Sequence, residues 1–208
     1  MNRRDAIGRV ALIMGGAVIG AEFFLSGCKP GGAASNVNDL FTPDNVAFLN
    51  EVADTILPTT SSPGAKAANV GQFMGVMVRD CYTPDDQKTF INGIAKLNDA
   101  ANKKSGSKFM ELTLQQRTDL LVDLDKEQKE FTSKRDKDLA TDKEKHKGEL
   151  TYVAPALSKH YFRMMKELTL LGYFTSEIGA TKALRYIAVP GHYDGCVPYK
   201  KGDKAWAT

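Results

Sequence analysis

From Val46 onward apolar residues recur at helical spacing: Val46, Leu49, Val52, Ala53, Ile56 and Leu57 share one face of a 3.6-residue repeat. Thr42-Pro43 places a side-chain oxygen at the N-cap and proline at the first helical position, so a helix is predicted to start there and to end at Pro58. The stretch Thr59-Thr60-Ser61-Ser62-Pro63-Gly64 is turn chemistry, and Val70, Phe73, Met74, Met77 and Val78 then predict a second helix with Cys81 near its end. Thr83-Pro84-Asp85-Asp86 repeats the start signal, with acids where the helix dipole favours them, and Phe90, Ile91, Ile94 and Leu97 supply a third buried face. A capping box, Thr113 with Gln116, opens a fourth helix whose stripe is Leu120, Leu121, Leu124 and Phe131.

The pattern then changes. Residues 126–149 are dominated by Lys, Glu and Asp of mixed sign, with Phe131 and Leu139 as the sizeable apolar residues. Such a segment cannot bury a core face; it reads as an insertion forming a solvated helical extension or mobile loop, a contact arm for a charged partner being the alternative. Helical spacing returns from Tyr152 to Gly172, with Tyr161, Met164, Met165, Leu168 and Leu171 facing inward. A methionine and aromatic stripe of this kind reads as adaptable core rather than as a cofactor box. After Thr181 the prolines and glycines of 186–199 imply an irregular, extended tail. The fold class is therefore mainly α, a single helical domain over 41–208.

The segment before that domain has a different character. Arg3 and Arg4 precede the apolar run Val10 to Ala21, which Glu22 interrupts before the roughly 20 residues needed to span a bilayer. Residues 1–27 read as a signal peptide, and the paired arginines resemble a twin-arginine export signal, with ordinary secretory export as the alternative. Leu25-Ser26-Gly27-Cys28 resembles a lipobox, so Cys28 is expected to carry a lipid, and residues 28–40, rich in Gly, Ala, Ser and Asn, form a flexible tether. The expected product is an envelope lipoprotein, membrane-anchored and facing the periplasm.

Charge and chemistry narrow the function. The formal charge of +3 includes three arginines and two acids in residues 1–27, so the remainder sits near +2 and favours neither nucleic acid nor an acidic surface. Cys28, Cys81 and Cys196 make no CxxC and no metal-ligand spacing. With Cys28 lipidated, Cys81 and Cys196 are an even pair that an oxidising compartment would join, or else two buried thiols. No dinucleotide fingerprint, Walker loop or nucleophile elbow is present, so no catalytic, cofactor or metal site is assigned to the chain. His160 on a helix and His192 beside Asp194 and Cys196 suit packing and loop hydrogen bonds better than catalysis. Tyr173, Phe174, Thr175, Ser176, Glu177 and Ile178 set two aromatics among small and polar residues, which is either a buried corner or an anchor patch for another protein.

Three stretches carry a family likeness: Ala53-Asp54-Thr55-Ile56-Leu57-Pro58 with Pro63-Gly64-Ala65; Met77 to Tyr82; and Leu171 to Ala180 leading to Gly195-Cys196-Val197-Pro198-Tyr199. Through them the chain resembles the gluconate 2-dehydrogenase subunit 3 family, over roughly 45–125 and 155–206. The resemblance implies a non-catalytic accessory subunit of a sugar or sugar-acid dehydrogenase. It implies a partner that is a large FAD-dependent oxidoreductase of the glucose-methanol-choline type, with electrons leaving through a cytochrome c or another membrane acceptor. It also implies an escort that supplies the export signal for that partner. A stand-alone envelope lipoprotein is the alternative.

Overall fold

The computed structural model describes residues 37–189, 191–192 and 195–207. Arg3, Arg4 and Cys28, with the expected signal peptide and most of the tether, lie outside the described residues. Among those described, five α-helices make the fold: α1 Pro43–Ile56, α2 Val70–Cys81, α3 Pro84–Ser105, α4 Leu114–Lys145 and α5 Tyr161–Phe174. The chain is mainly helical, and its one β-type pairing there is an isolated parallel bridge between Arg185 and Trp206. No described helix is long and apolar enough to cross a membrane.

Local chemistry sets the helix starts as the sequence leads one to expect. The Oγ1 atoms of Thr42, Thr83 and Thr113 accept from the backbone N–H groups of Asn45, Asp86 and Gln116 at 3.4, 3.3 and 3.3 Å. At α4 the capping box closes reciprocally, with Thr113 N donating to Gln116 Oε1 at 3.0 Å. α3 ends where Gly106 turns to φ 73°, a left-handed cap open to glycine at little steric cost.

α2 lies along α1, and α5 packs on α2 and α3; α4 closes the bundle against α1, α3 and α5. The core formed there joins Leu49 and Val52 of α1, Met74 of α2, Phe90 and Leu97 of α3, Leu121 of α4 and Met164 and Met165 of α5. No buried side-chain nitrogen or oxygen among the described residues lacks a hydrogen-bond partner, so the core carries no unmet desolvation penalty.

Two features depart from the sequence reading. The last helix begins at Tyr161 rather than Tyr152, because Pro155 has no N–H to donate and biases Ala154 away from helical dihedrals. Residues 153–160 run without regular structure, and His160 caps the helix that follows. Leu171, expected inside, is 45% exposed, because α5 turns its buried arc through Leu168, Thr169, Gly172 and Tyr173 instead.

The charged segment takes the solvated helical form. α4 is buried at Leu120, Leu121, Leu124 and Gln128, and from there to Lys145 it runs on as an extension of the same helix. The returning chain clasps that extension: Arg135 donates to the Ser158 carbonyl at 3.1 Å, Tyr152 donates to the Asp142 carboxylate, and the His146 and Tyr152 rings stack at 4.5 Å. Solvent screens exposed contacts of this kind, so each contributes little.

The expected Cys81–Cys196 bridge is not formed, and neither residue is buried. Cys81 ends α2. The chain that follows Cys196 is pinned to the end of the π-helical turn Gly179–Ala183, through Arg185 N to Ala205 O at 2.8 Å and Lys204 Nζ to Lys182 O at 2.6 Å.

An ionic link joins α4 to α5. Asp125 accepts from Lys166 Nζ at 2.6 Å, Lys129 Nζ at 2.7 Å and Gln128 Nε2 at 3.2 Å. Burial pushes its carboxyl upward, but the bonds from Lys129, Lys166 and Gln128 outweigh it and hold the pKa at about 2. A carboxyl whose folded pKa lies below its unfolded value stabilises fully above about pH 4, and that stabilisation fades as pH falls toward 2. The difference in unfolding free energy between the unaltered chain and Asp125→Asn should therefore reach about 2 kcal/mol at neutral pH and shrink between pH 4 and 2. Urea unfolding at a series of pH values measures it; a difference that stays constant through that window would assign the effect to packing.

Candidate partner interface

The end of α5 meets two other elements at one corner. Gly172 faces α2 so closely that a Cβ there would stand 2.5 Å from the Phe73 ring; glycine lets the helices touch. Tyr173 is buried, and its hydroxyl donates to the Pro63 carbonyl at 2.5 Å, tying α5 to the turn between α1 and α2. That turn is itself bonded, with Gly64 N donating to Thr59 Oγ1 at 3.0 Å and Ala65 N to Leu57 O at 2.9 Å. Ser176 Oγ donates to the Tyr173 carbonyl at 2.6 Å and accepts from Gly179 N at 3.0 Å. The π-helical turn Gly179–Ala183 follows, and a Cβ at Gly179 would fall 1.8 Å from Tyr173 O.

The stretches 53–58, 63–65 and 171–180 thus meet in space. Met77 to Tyr82, at the end of α2, contributes Met77 and Tyr82 as half-buried neighbours of the core. The stretch 195–199 lies outside the corner and is exposed.

Within the segment 173–178 the two sequence readings divide by residue. Tyr173 is a core residue. Phe174, Thr175 and Glu177 are exposed, and Ser176 and Ile178 half-buried. Phe174 stands edge-on to Tyr173 at 5.1 Å, so its ring is held in place from below. With Leu170 and Leu171, at the i−4 and i−3 positions, it forms an apolar stripe on the outer side of α5, each residue 37–45% exposed. Sequence periodicity missed this stripe because α5 is apolar over an arc wider than one buried face, and a wide arc is the signal that could have shown it.

His160 and the paired acids have structural partners. His160 Nδ1 accepts from Phe162 N at 3.3 Å while Nε2 lies 3.5 Å from the Glu127 carboxylate, and the ring packs between Phe131 and Tyr161. Burial lowers its pKa against the opposing pull of Glu127, which suits a neutral helix cap. His192 is exposed, and Asp194 lies outside the described residues. Asp86 pairs with Lys159 at 2.7 Å, and Asp123 with Lys104 at 2.6 Å. Among the described residues no three His, Cys, Asp or Glu side chains gather as metal ligands. A groove of about 690 Å³ runs between the outer half of α4 and the chain at 155–158, lined by Phe131, Arg135, Asp138, Leu139 and Leu157. Its charged residues, Lys134, Arg135, Asp138, Asp142 and Lys145, are of both signs.

The model of a family described as gluconate 2-dehydrogenase subunit 3 matches residues 43–191. No curated protein matches, and no solved structure does.

Proposed function

The chain belongs to the gluconate 2-dehydrogenase subunit 3 family, and on that premise we propose that it is a non-catalytic subunit that docks on, exports and anchors an FAD-dependent sugar or sugar-acid dehydrogenase. Family membership over residues 43–191 is the observation that carries this reading, and it implies association with a dehydrogenase catalytic subunit. The outer stripe of α5, formed by Leu170, Leu171 and Phe174, supports it, because large apolar side chains on an already packed helix are suited to burial by a partner.

The finer parts of the proposal rest on the sequence. The family likeness implies that FAD sits in the partner, a large subunit of the glucose-methanol-choline type, and this chain carries no dinucleotide-binding fingerprint of its own. Arg3 and Arg4 supply a twin-arginine signal under which the folded, flavin-loaded partner would travel with this chain. Cys28 then carries the lipid that holds the pair at the membrane, facing the periplasm, where a cytochrome c takes the electrons.

The test is affinity purification of the tagged full chain in detergent from its own host, with an absorption spectrum and mass spectrometry of what co-elutes. A stoichiometric, yellow flavoprotein is the expected result. Recovery of the chain alone and colourless would overturn the reading in favour of a stand-alone envelope lipoprotein. Within the complex, Leu171→Ser with Phe174→Ser should weaken association by about 2 kcal/mol or more while moving the unfolding midpoint of the isolated chain little. Unchanged association would remove the α5 stripe from the interface.

A further inference from the structure

The segment after the π-helical turn is built unlike the rest of the chain. Its two described limbs, 185–189 and 195–207, are joined at their base: Arg185 N donates to Ala205 O at 2.8 Å and Ala207 N donates to Arg185 O at 2.9 Å. The Arg185 guanidinium lies 4.8 Å over the Trp206 ring and 3.6 Å from the Asp203 carboxylate. Lys204 Nζ binds the Lys182 carbonyl at 2.6 Å. The base is thus pinned by backbone pairing, a cation–π contact and an ion pair.

Above the base the limbs turn apolar groups to solvent. Tyr186, Ile187, Val189, Val197 and Tyr199 are 45–82% exposed, and none belongs to the hydrophobic core, which ends along the chain at Ala183. Side chains this exposed pack only partly on this chain, so their full burial would come from another surface.

We infer that these limbs are a docking element for the catalytic subunit of the dehydrogenase complex, seated in an apolar cleft of that subunit bordered by carboxylates. The inference rests on the accessory-subunit reading and goes beyond it by naming a surface and its chemistry. Three observations select the occupant. Family membership implies a dehydrogenase catalytic subunit as partner. The limbs together are close to the roughly 20–30 residues that one side of a standard interface contributes. The limbs and their base carry Lys182, Arg185, Lys200, Lys201 and Lys204 against Asp203, so an apolar surface flanked by basic residues calls for acidic residues opposite. Pinning the base reduces the ordering entropy that docking must overcome.

Binding of the purified full chain to the isolated catalytic subunit tests this, measured at two ionic strengths beside the triple variant Ile187→Ser, Val197→Ser, Tyr199→Ser and the double variant Lys200→Glu, Lys201→Glu. The triple variant should bind at least tenfold more weakly with an unchanged unfolding midpoint, since it alters exposed side chains alone. The charge variant should associate several-fold more slowly at low salt and lose much of its salt dependence. If the unaltered chain binds and both variants bind equally well, the limbs are not the docking element and the accessory reading stands. If the unaltered chain does not bind at all, the accessory reading falls and takes the inference with it. Unchanged subunit binding by the triple variant alongside lost binding to anionic phospholipid vesicles would also overturn the inference, assigning the limbs to a membrane surface.

Discussion

Replacing Phe109 with alanine should destabilise the fold by about 3–5 kcal/mol, the range for deleting a fully buried aromatic ring. Phe109 sits in the three-residue 3-10 turn between α3 and α4 and is wholly buried. Its ring meets Phe48 of α1 edge-on at 5.4 Å, and the Arg117 guanidinium of α4 lies 5.3 Å above it. Arg117 also donates to the carbonyls of Phe109 and Met110 at 3.2 and 2.8 Å and pairs with Glu51 of α1 at 2.6 Å. Glu51 is joined in turn by Lys66, and its pKa is lowered chiefly by the hydrogen bond from Lys66, against the raising effect of burial. One ring therefore closes the end of the bundle and supports the guanidinium that bridges α4 to α1. Its loss leaves a cavity and removes the surface on which Arg117 rests. In urea unfolding of the purified chain, Met110→Ala is the control, since Met110 is 42% exposed and its loss should change stability by about 0.5 kcal/mol or less. A Phe109→Ala effect as small as that of Met110→Ala would mean that the helices collapse into the vacated space.

Phe109 also shows where reading a sequence stops. The caps at Thr42, Thr83 and Thr113 were legible because a capping oxygen and the amide it meets are three residues apart, so the chemistry is written locally. The five helices followed from periodicity, as did most of the core. A turn of three residues has no period, so nothing marked Phe109 as central. Leu171 was placed inside because α5 carries apolar residues on two arcs, and spacing does not say which arc meets a neighbour. The corner at Tyr173 stayed ambiguous for another reason: what decides it is a hydrogen bond to Pro63, 110 residues earlier in the chain. Counting cysteines was weaker still, since an even number carries no information about distance, and Cys81 and Cys196 are not joined to each other. Of the stretches that carry the family likeness, 53–58, 63–65 and 171–180 meet at the corner between α1, α2 and α5, with small residues where backbones touch, while 195–199 does not.

Close backbone contact also occurs at Gly71, away from that corner, and Gly71→Leu should lower stability by about 3 kcal/mol, the upper end for forced overpacking. Gly71 occupies the first turn of α2, where that helix crosses α1, and a Cβ there would stand 2.6 Å from the Val46 carbonyl and 2.9 Å from Asn50 N. Backbone atoms of a packed helix cannot swing aside as a flexible side chain can, so α2 must move as a body. The movement would also break the bond by which Asn50 Oδ1 accepts from Gly71 N at 2.7 Å, and it would disturb Asn50 Nδ2 where it donates to Asn69 Oδ1 at 3.1 Å. Asn69 holds φ at 51°, a left-handed conformation that asparagine tolerates and that these bonds help to fix. Because α2 carries Phe73 against Gly172, its displacement reaches α5 and the exposed stripe beyond it. Gly71→Leu should therefore weaken partner binding as well as stability, although residue 71 is distant in sequence from both proposed docking surfaces. Gly71→Ala, adding the Cβ alone, should fall between the two in urea unfolding, and equal stability of all three chains would show that α1 and α2 separate without loss.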